Sequence, residues 1–390
     1  MRLRSWGSCM HVVDTTLFYS PTSGGVKRYL TAKQDWLHSH TSHRHSLLVP
    51  GTENRLVRGG VSTVAGIRLP GTFNYRLPLA VRTWKNMLFE LEPDLIEVGD
   101  VFHPAWCALA AARARHVPVV AFFHSNLPQL LGRRFGSGVE RALTRYVRSI
   151  YAHFDLVLAP SRSMCAYLRR CGVRNVAFQP LGVDATLFSP ERRTLELRRM
   201  LNLPDDARLV VFAGRFSEEK KIHVLRGAMA LLGKPYHLLL VGGGRSAQPS
   251  HNVTVLPYRR DSVELAQWLA SADALVHAGN RETFGLVIVE AMACGRPVVG
   301  VRAGSIPELV DERVGELAEP DDAHSMAAAI RRLYERDIDA LGAEARRRVL
   351  KRFTWTQALT QQLASYASVL GAVHTPRAVT AAMGLESPGP

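Results

Sequence analysis

The stretch RLVVFAGRFSEEKKIHVLRGAMALL, residues 208–232, shows the pattern on which the chain is built. RLVVFA is a short apolar run rich in β-branched residues and reads as a buried strand. GRFSEEKK breaks it with glycine and charge, and IHVLRGAMALL then carries apolar residues at helical spacing. Strand, turn and returning helix make one half of a βαβ unit, so the next strand is predicted to lie parallel. The same alternation recurs on both sides. Before it, strands are predicted at Val12–Phe18, Ser46–Val49, Asp94–Val98, Val117–Phe123, Asp155–Ala159 and Val176–Gln179, with helices over 26–39, 76–91, 104–115, 139–153 and 161–171. After it, strands are predicted at His237–Val241, Val253–Leu256, Ala274–His277, Pro297–Val301 and Gly315–Leu317. Helices are predicted there over 192–201, 220–232, 261–271, 286–294 and 321–335.

With 390 residues the chain is long for one core and comfortable for two. QPLGVDATLFSP, residues 179–190, carries two prolines, a glycine and an aspartate and reads as the linker. The expected division is a first α/β unit over 1–183, a second over 184–352, a last helix over 353–371 and a disordered tail over 372–390. Two parallel sheets facing each other enclose a cleft at their strand ends, where ligands of such sheets bind.

Composition narrows the class. Apolar residues make up 47% and charged residues 21%, as in a soluble globular protein. No apolar run is long enough to span a bilayer, and MRLRSWGSCMHVVD lacks a signal-peptide core, so a cytoplasmic location is expected. Cys9, Cys107, Cys165, Cys171 and Cys294 form no CxxC pair, and no structural metal is expected. His38, His40, His43 and His45 cluster in sequence, but a helix-to-strand turn without a carboxylate is a poor metal site. The net charge of +15 is uneven: residues 1–183 hold 23 Lys/Arg against 10 Asp/Glu, and residues 184–390 hold 26 against 24. The first half therefore suits an acidic partner. In the helix over 139–153, Arg141, Arg145 and Arg148 fall on one face and Leu143, Val147 and Ile150 on the other. With the nearby Arg133 and Arg134 they would suit an anionic membrane surface, or merely a solvated helix face.

Four segments carry chemistry. Arg215 and Lys220 leave a strand end just before a helix, where a phosphate is well placed. In ETFGLVIVEAMACGRPVV, residues 282–299, Gly285 relaxes the backbone before an apolar helix, so the amides of Phe284, Gly285 and Leu286 are free to meet an anion. Glu290 follows one turn later on an otherwise apolar helix. A carboxylate buried there without a partner is costly, which favours a role in accepting hydroxyl protons from a sugar or ribose. Gly24 and Gly25, after the first strand, allow close backbone approach to a diphosphate or sugar, though a plain tight turn would look alike. His124 in FFHSN sits at a predicted strand end facing the cleft.

Together these segments resemble family 4 of the retaining glycosyltransferases, over roughly residues 10–370. The resemblance rests on Gly24–Gly25, His124, GVDATLFSP, GRFSEEK, the pair Glu282…Glu290 within ETFGLVIVE, and GSIPELV at 304–310. It implies the GT-B fold, two Rossmann-like domains facing each other across a cleft. It also implies transfer of a hexose from a nucleotide-diphosphate sugar, GDP-mannose or a UDP-hexose, to a lipid-linked or glycan acceptor. Arg215 and Lys220 would then hold the diphosphate, and Glu290 the ribose hydroxyls. Glu282 and the amides of Phe284, Gly285 and Leu286 would hold the transferred sugar, and His124 would sit near its reacting face. The nucleobase would lie against the loop over 256–260, and the last helix would cross back to the first domain. Neither metal nor cofactor is required, since Arg215 and Lys220 supply positive charge. Glu97 and Asp100 depart from the histidine-rich loop of many relatives, so the family does not name the acceptor. A nucleotide-sugar epimerase would generally lack the paired GRxxxEK and Glu282…Glu290 signatures. A nucleic-acid-binding protein would want aromatics interleaved with Lys and Arg on one sheet, and here they are scattered.

Overall fold

A computed structural model describes residues 9–19, 24–69, 75–242, 250–257 and 261–374. In chain order the strands are β1 (His11–Thr15), β2 (Arg44–Gly51), β3 (Val61–Ala65), β4 (Ile67–Arg68), β5 (Arg76–Leu77), β6 (Leu95–Val98), β7 (Val119–Phe122), β8 (Leu156–Ala159) and β9 (Val176–Phe178). There follow β10 (Arg208–Ala213), β11 (Tyr236–Gly242), β12 (Val253–Pro257), β13 (Ala274–Val276), β14 (Val298–Val301) and β15 (Gly315–Ala318). One sheet runs β3-β2-β1-β6-β7-β8-β9 and the other β12-β11-β10-β13-β14-β15, while β4 and β5 pair separately. Every ladder in the two large sheets is parallel. The fold is therefore α/β with two Rossmann-like sheets.

Strand order reverses between β1 and β6 in the first sheet and between β10 and β13 in the second. At such a switch point the crossover helices on either side leave to opposite faces, which opens a crevice beyond the strand ends. The loops that end β1, β6, β10 and β13 therefore converge on the cleft. In the second sheet the strand interior is apolar, as burial on both faces requires: Leu209, Val210, Val211 and Phe212 of β10 are all fully buried.

The last helix, Trp355–His374, returns to the first sheet and packs on the helix Gly25–His40. Polar groups specify the seat. Gln362 Nε2 donates to Tyr29 Oη (2.5 Å), Glu97 Oε2 (2.8 Å) and Tyr366 Oη (2.8 Å). Lys33 Nζ donates to Asp14 Oδ1 (2.8 Å) and Tyr366 Oη (2.7 Å), and His45 Nε2 lies 2.6 Å from Asp14 Oδ2. All of these side chains are buried, so each charge has a partner where an unpaired one would be costly. Glu97 is thus a brace between the first sheet and the last helix. His45 is spent on Asp14, and His43 Nδ1 accepts the Met10 N–H.

Several predicted bounds shift. The helix predicted over 76–91 begins at Val81, because Arg76–Leu77 pairs as β5, and 192–201 contracts to Glu196–Met200. The last helix reaches His374, three residues beyond the predicted limit, and the rest of the tail lies outside the described residues. Besides strand β3 and the one-turn helix Ile306–Leu309, two longer helices were not anticipated, Leu127–Phe135 and Ile338–Arg352. The second buries Leu341, Gly342, Ala345 and Val349, and so small a stripe leaves little apolar periodicity to read.

Candidate active site

The loop after β10 carries Arg215 and Lys220, and the loop after β13 carries Glu282. Lys220 Nζ forms an ion pair with Glu282 Oε1, and His277 Nε2 lies 3.1 Å from that same oxygen without hydrogen-bond alignment. His277 Nδ1 accepts the Gly279 N–H at 3.2 Å, which leaves the ring hydrogen on Nε2, toward Glu282. Burial alone would raise the Glu282 carboxyl, but the Lys220 ammonium and His277 outweigh it and hold the carboxyl well below the usual range. Backbone contacts fix the loop. Ser305 N donates to Glu282 O at 3.1 Å, and Ser305 Oγ donates to Phe284 O at 2.9 Å.

Gly285 adopts φ +95°, a left-handed conformation that only glycine enters readily, and the helix Leu286–Ala293 starts directly after it. Among the described residues, the N–H groups of Phe284, Gly285 and Leu286 meet no backbone carbonyl. They stand at a helix N-terminus beside Glu282, where an anion or sugar oxygen would find donors. Glu290 lies buried one turn on. Its Oε1 is ion-paired with Arg28, on the helix that follows Gly24–Gly25, while its Oε2 has no hydrogen-bond partner among the described residues. A Cβ on Gly25 would stand 3.2 Å from Leu286 Cδ1, so the two halves meet closely here.

Gly24, Gly25, His124 and Arg215 line one cavity of about 210 Å³, with Phe18, Tyr75 and Phe102 among its walls. Phe18 packs edge-on against Tyr75 (6.0 Å) and Phe102 (5.9 Å). Asp100, at the end of β6, braces the rim by accepting from Leu17 N at 2.6 Å and Thr16 Oγ1 at 2.9 Å, and burial raises its carboxyl. The His124 ring stacks on Phe122 at 4.4 Å. Burial lowers its pKa to about 3, so the ring is neutral near pH 7. Its backbone carbonyl accepts from Thr283 Oγ1 of the facing half at 3.2 Å.

The predicted residues thus fall into one cleft: Lys220 touches Glu282, Gly25 borders Leu286, and His124 borders Thr283. Sequence reading missed Arg28, His277 and Glu308. Glu308 lies in GSIPELV, and its carboxylate accepts Arg162 N (2.8 Å) and Ser163 N (2.7 Å) at the start of the helix Arg162–Arg170. The loop over 256–260 lies only partly in view, since 258–260 fall outside the described residues. On the basic helix Ser137–Tyr151, Arg141, Arg145 and Arg148 are exposed while Val147 and Ile150 are buried. Arg133 instead pairs with Glu218 of the facing half. Among the described residues no helix is long and apolar enough to cross a membrane.

Comparison with known proteins agrees with this geometry. The family description Glycosyl transferases group 1 matches residues 207–336, and Glycosyltransferase Family 4 matches residues 23–187. The chain is 31% identical, over 91% of its length and 96% of the relative's, to a GDP-mannose-dependent alpha-(1-6)-phosphatidylinositol dimannoside mannosyltransferase of Mycobacterium tuberculosis. A GDP-mannose-dependent alpha-mannosyltransferase of the same species is 33% identical over 76% of this chain and 79% of that one. Among solved structures, sucrose-phosphate synthase from Thermosynechococcus elongatus superposes with a TM-score of 0.77 over 93% of this chain and all of that one, at 24% identity. Anabaena HepE in complex with UDP-glucose gives 0.72 over 92% of this chain and all of that one, at 21% identity. The fold is that of the GT-B glycosyltransferases, and the chain belongs to glycosyltransferase family 4, the group 1 glycosyl transferases.

Proposed function

We propose that this glycosyltransferase moves mannose from GDP-mannose to a lipid-linked or glycan acceptor, with retention at the anomeric carbon and without a metal. The observation that carries the proposal is the convergence of Lys220 and His277 on Glu282, beside the donor-rich turn at Gly285. Residues 184–352 form the donor half, residues 1–183 the acceptor half, and 353–371 tie the two. Arg215 and Lys220 hold the diphosphate and Glu290 a ribose hydroxyl. Glu282 and the amides of Phe284, Gly285 and Leu286 hold the mannose, and the Gly24–Gly25 backbone and neutral His124 approach it from the other side. The C1–O bond to phosphate breaks, and the departing phosphate oxygen takes the acceptor hydroxyl's proton. That hydroxyl oxygen bonds C1 on the face just vacated. GDP and a mannoside leave. Protein cations stabilise the developing charge on the diphosphate.

The names of the mycobacterial relatives support mannose and a lipid acceptor. Arg134, Arg141, Arg145 and Arg148 would bring the acceptor half to the inner face of an anionic membrane, with Arg133 joining when its pairing with Glu218 opens. A panel of GDP-mannose, UDP-glucose, UDP-galactose and UDP-N-acetylglucosamine tests the donor. GDP-mannose is expected to raise the melting temperature most, by mass action on the folded state. A larger shift from a UDP-sugar would overturn the donor assignment.

A further inference from the structure

The Glu290 carboxylate is divided between the two halves of the molecule. Its side chain is 2% exposed; Oε1 is held by Arg28, and Oε2 is buried with no hydrogen-bond partner among the described residues. Arg28 is itself well anchored. The next residue, Tyr29, is fully buried with its hydroxyl on Glu97 Oε1 at 2.7 Å, and Lys33, one turn further, is buried on Asp14. The helix that carries Arg28 is thus fixed to the first sheet and to the last helix, and it meets the donor half through Arg28 and Gly25. A buried carboxylate with one satisfied oxygen retains the desolvation cost of the other until a donor group reaches it.

We propose that Arg28 is a positioning residue for the nucleotide: it holds Glu290 Oε1 and so turns the carboxylate for Oε2 to receive a ribose hydroxyl. The donor pocket is then complete only while the acceptor half stands against it, and donor affinity depends on a residue outside the donor half. This rests on the reading of Glu290 as the ribose acceptor. A misaligned Glu290 would offer the hydroxyl a weaker bond, because hydrogen bonds weaken steeply away from linear geometry.

Calorimetric titration with GDP, and with UDP as a second probe, separates the proposal from the reading beneath it. Glu290→Gln should weaken binding of the better probe by roughly tenfold, and Arg28→Ala by a similar factor. The double variant should lose no more than the larger single loss, since both remove one device. Arg28→Lys should recover part of the affinity. In turnover, Arg28→Ala should raise donor KM with kcat within about twofold of wild type, a split that general loosening of the fold would not give. Should Arg28→Ala fail to fold, Arg28→Gln carries the same test. Wild-type affinity in Arg28→Ala (or Arg28→Gln) alongside weakened binding in Glu290→Gln would overturn the positioning role alone, as would additive losses. Unchanged binding in Glu290→Gln would overturn the reading of Glu290 itself.

Discussion

His277 Nε2 stands 3.1 Å from Glu282 Oε1, the oxygen that also receives the Lys220 ammonium. A carboxylate held by the Lys220 ammonium on one oxygen, with His277 beside it, has its other oxygen and a fixed orientation to offer a sugar. Glu282 meets the group that changes shape and charge in the reaction, so Glu282→Gln should lower kcat, by on the order of 10²-fold, with little change in donor KM. Glu290→Gln should do the reverse, since a ribose contact is equal in ground and transition states. Steady-state kinetics of the two variants decide the matter, and exchanged phenotypes would refute the assignment. Because the Glu282 carboxyl lies below its ordinary value of 4.5, its stabilising contribution is complete above that pH and is lost only as pH falls further.

The titration of His124 runs through a different window. Burial lowers the folded pKa from 6.5 to about 3, so between those values the unfolded chain binds more protons than the folded one. The stability that His124 confers is therefore complete above pH 6.5 and is lost as pH falls toward 3. In His124→Gln this slope should flatten in urea titrations between pH 7 and 4. An unchanged slope would show that the ring is not held neutral.

Much of the site was legible because its chemistry is local in sequence. Arg215 and Lys220 share one turn with Gly214, and Glu282, Gly285 and Glu290 lie within one loop and the first two turns of its helix. Cross-cleft partners left no such trace. Arg28 reads as one more cation in a basic half, and only the folded chain brings it to a residue 262 positions away. Glu308 sits in a motif that was noted, yet its role in capping the helix Arg162–Arg170 depends on how the halves meet. Glu97 looked like a departure in an acceptor loop and proved to be a buried brace, because Gln362 and Tyr366 arrive from the last helix. Strand periodicity survives in sequence since both faces are apolar, whereas the helix Ile338–Arg352 hides behind small residues.

One of those small residues is indispensable for packing. A Cβ added at Gly342 would collide with the Gly295 carbonyl oxygen, a backbone atom that cannot rotate away. Gly342→Ala should therefore destabilise the fold by about 2–3 kcal/mol despite alanine's better helix propensity. Urea unfolding measures it, and a neutral or stabilising outcome would mean that the helix shifts freely on its seat.

Membrane docking turns on charge. Arg141, Arg145 and Arg148 are exposed on one helix, with Leu130 and Phe135 half-exposed on the neighbouring one. Each cation near an anionic surface contributes roughly 1 kcal/mol and is screened by salt. The protein should sediment with phosphatidylserine vesicles at low salt and release at high salt, and the triple Arg→Gln variant should stay in solution. No sedimentation at low salt would end the idea.

The stereochemistry of transfer bears most directly on the account. If the departing diphosphate takes the acceptor's proton on the face it vacates, and Arg215 and Lys220 supply the positive charge, the product keeps the donor's configuration without a metal. Proton NMR of the glycoside made from GDP-mannose in the presence of EDTA should show an α linkage formed at an undiminished rate. A β linkage, or activity abolished by the chelator, would contradict it.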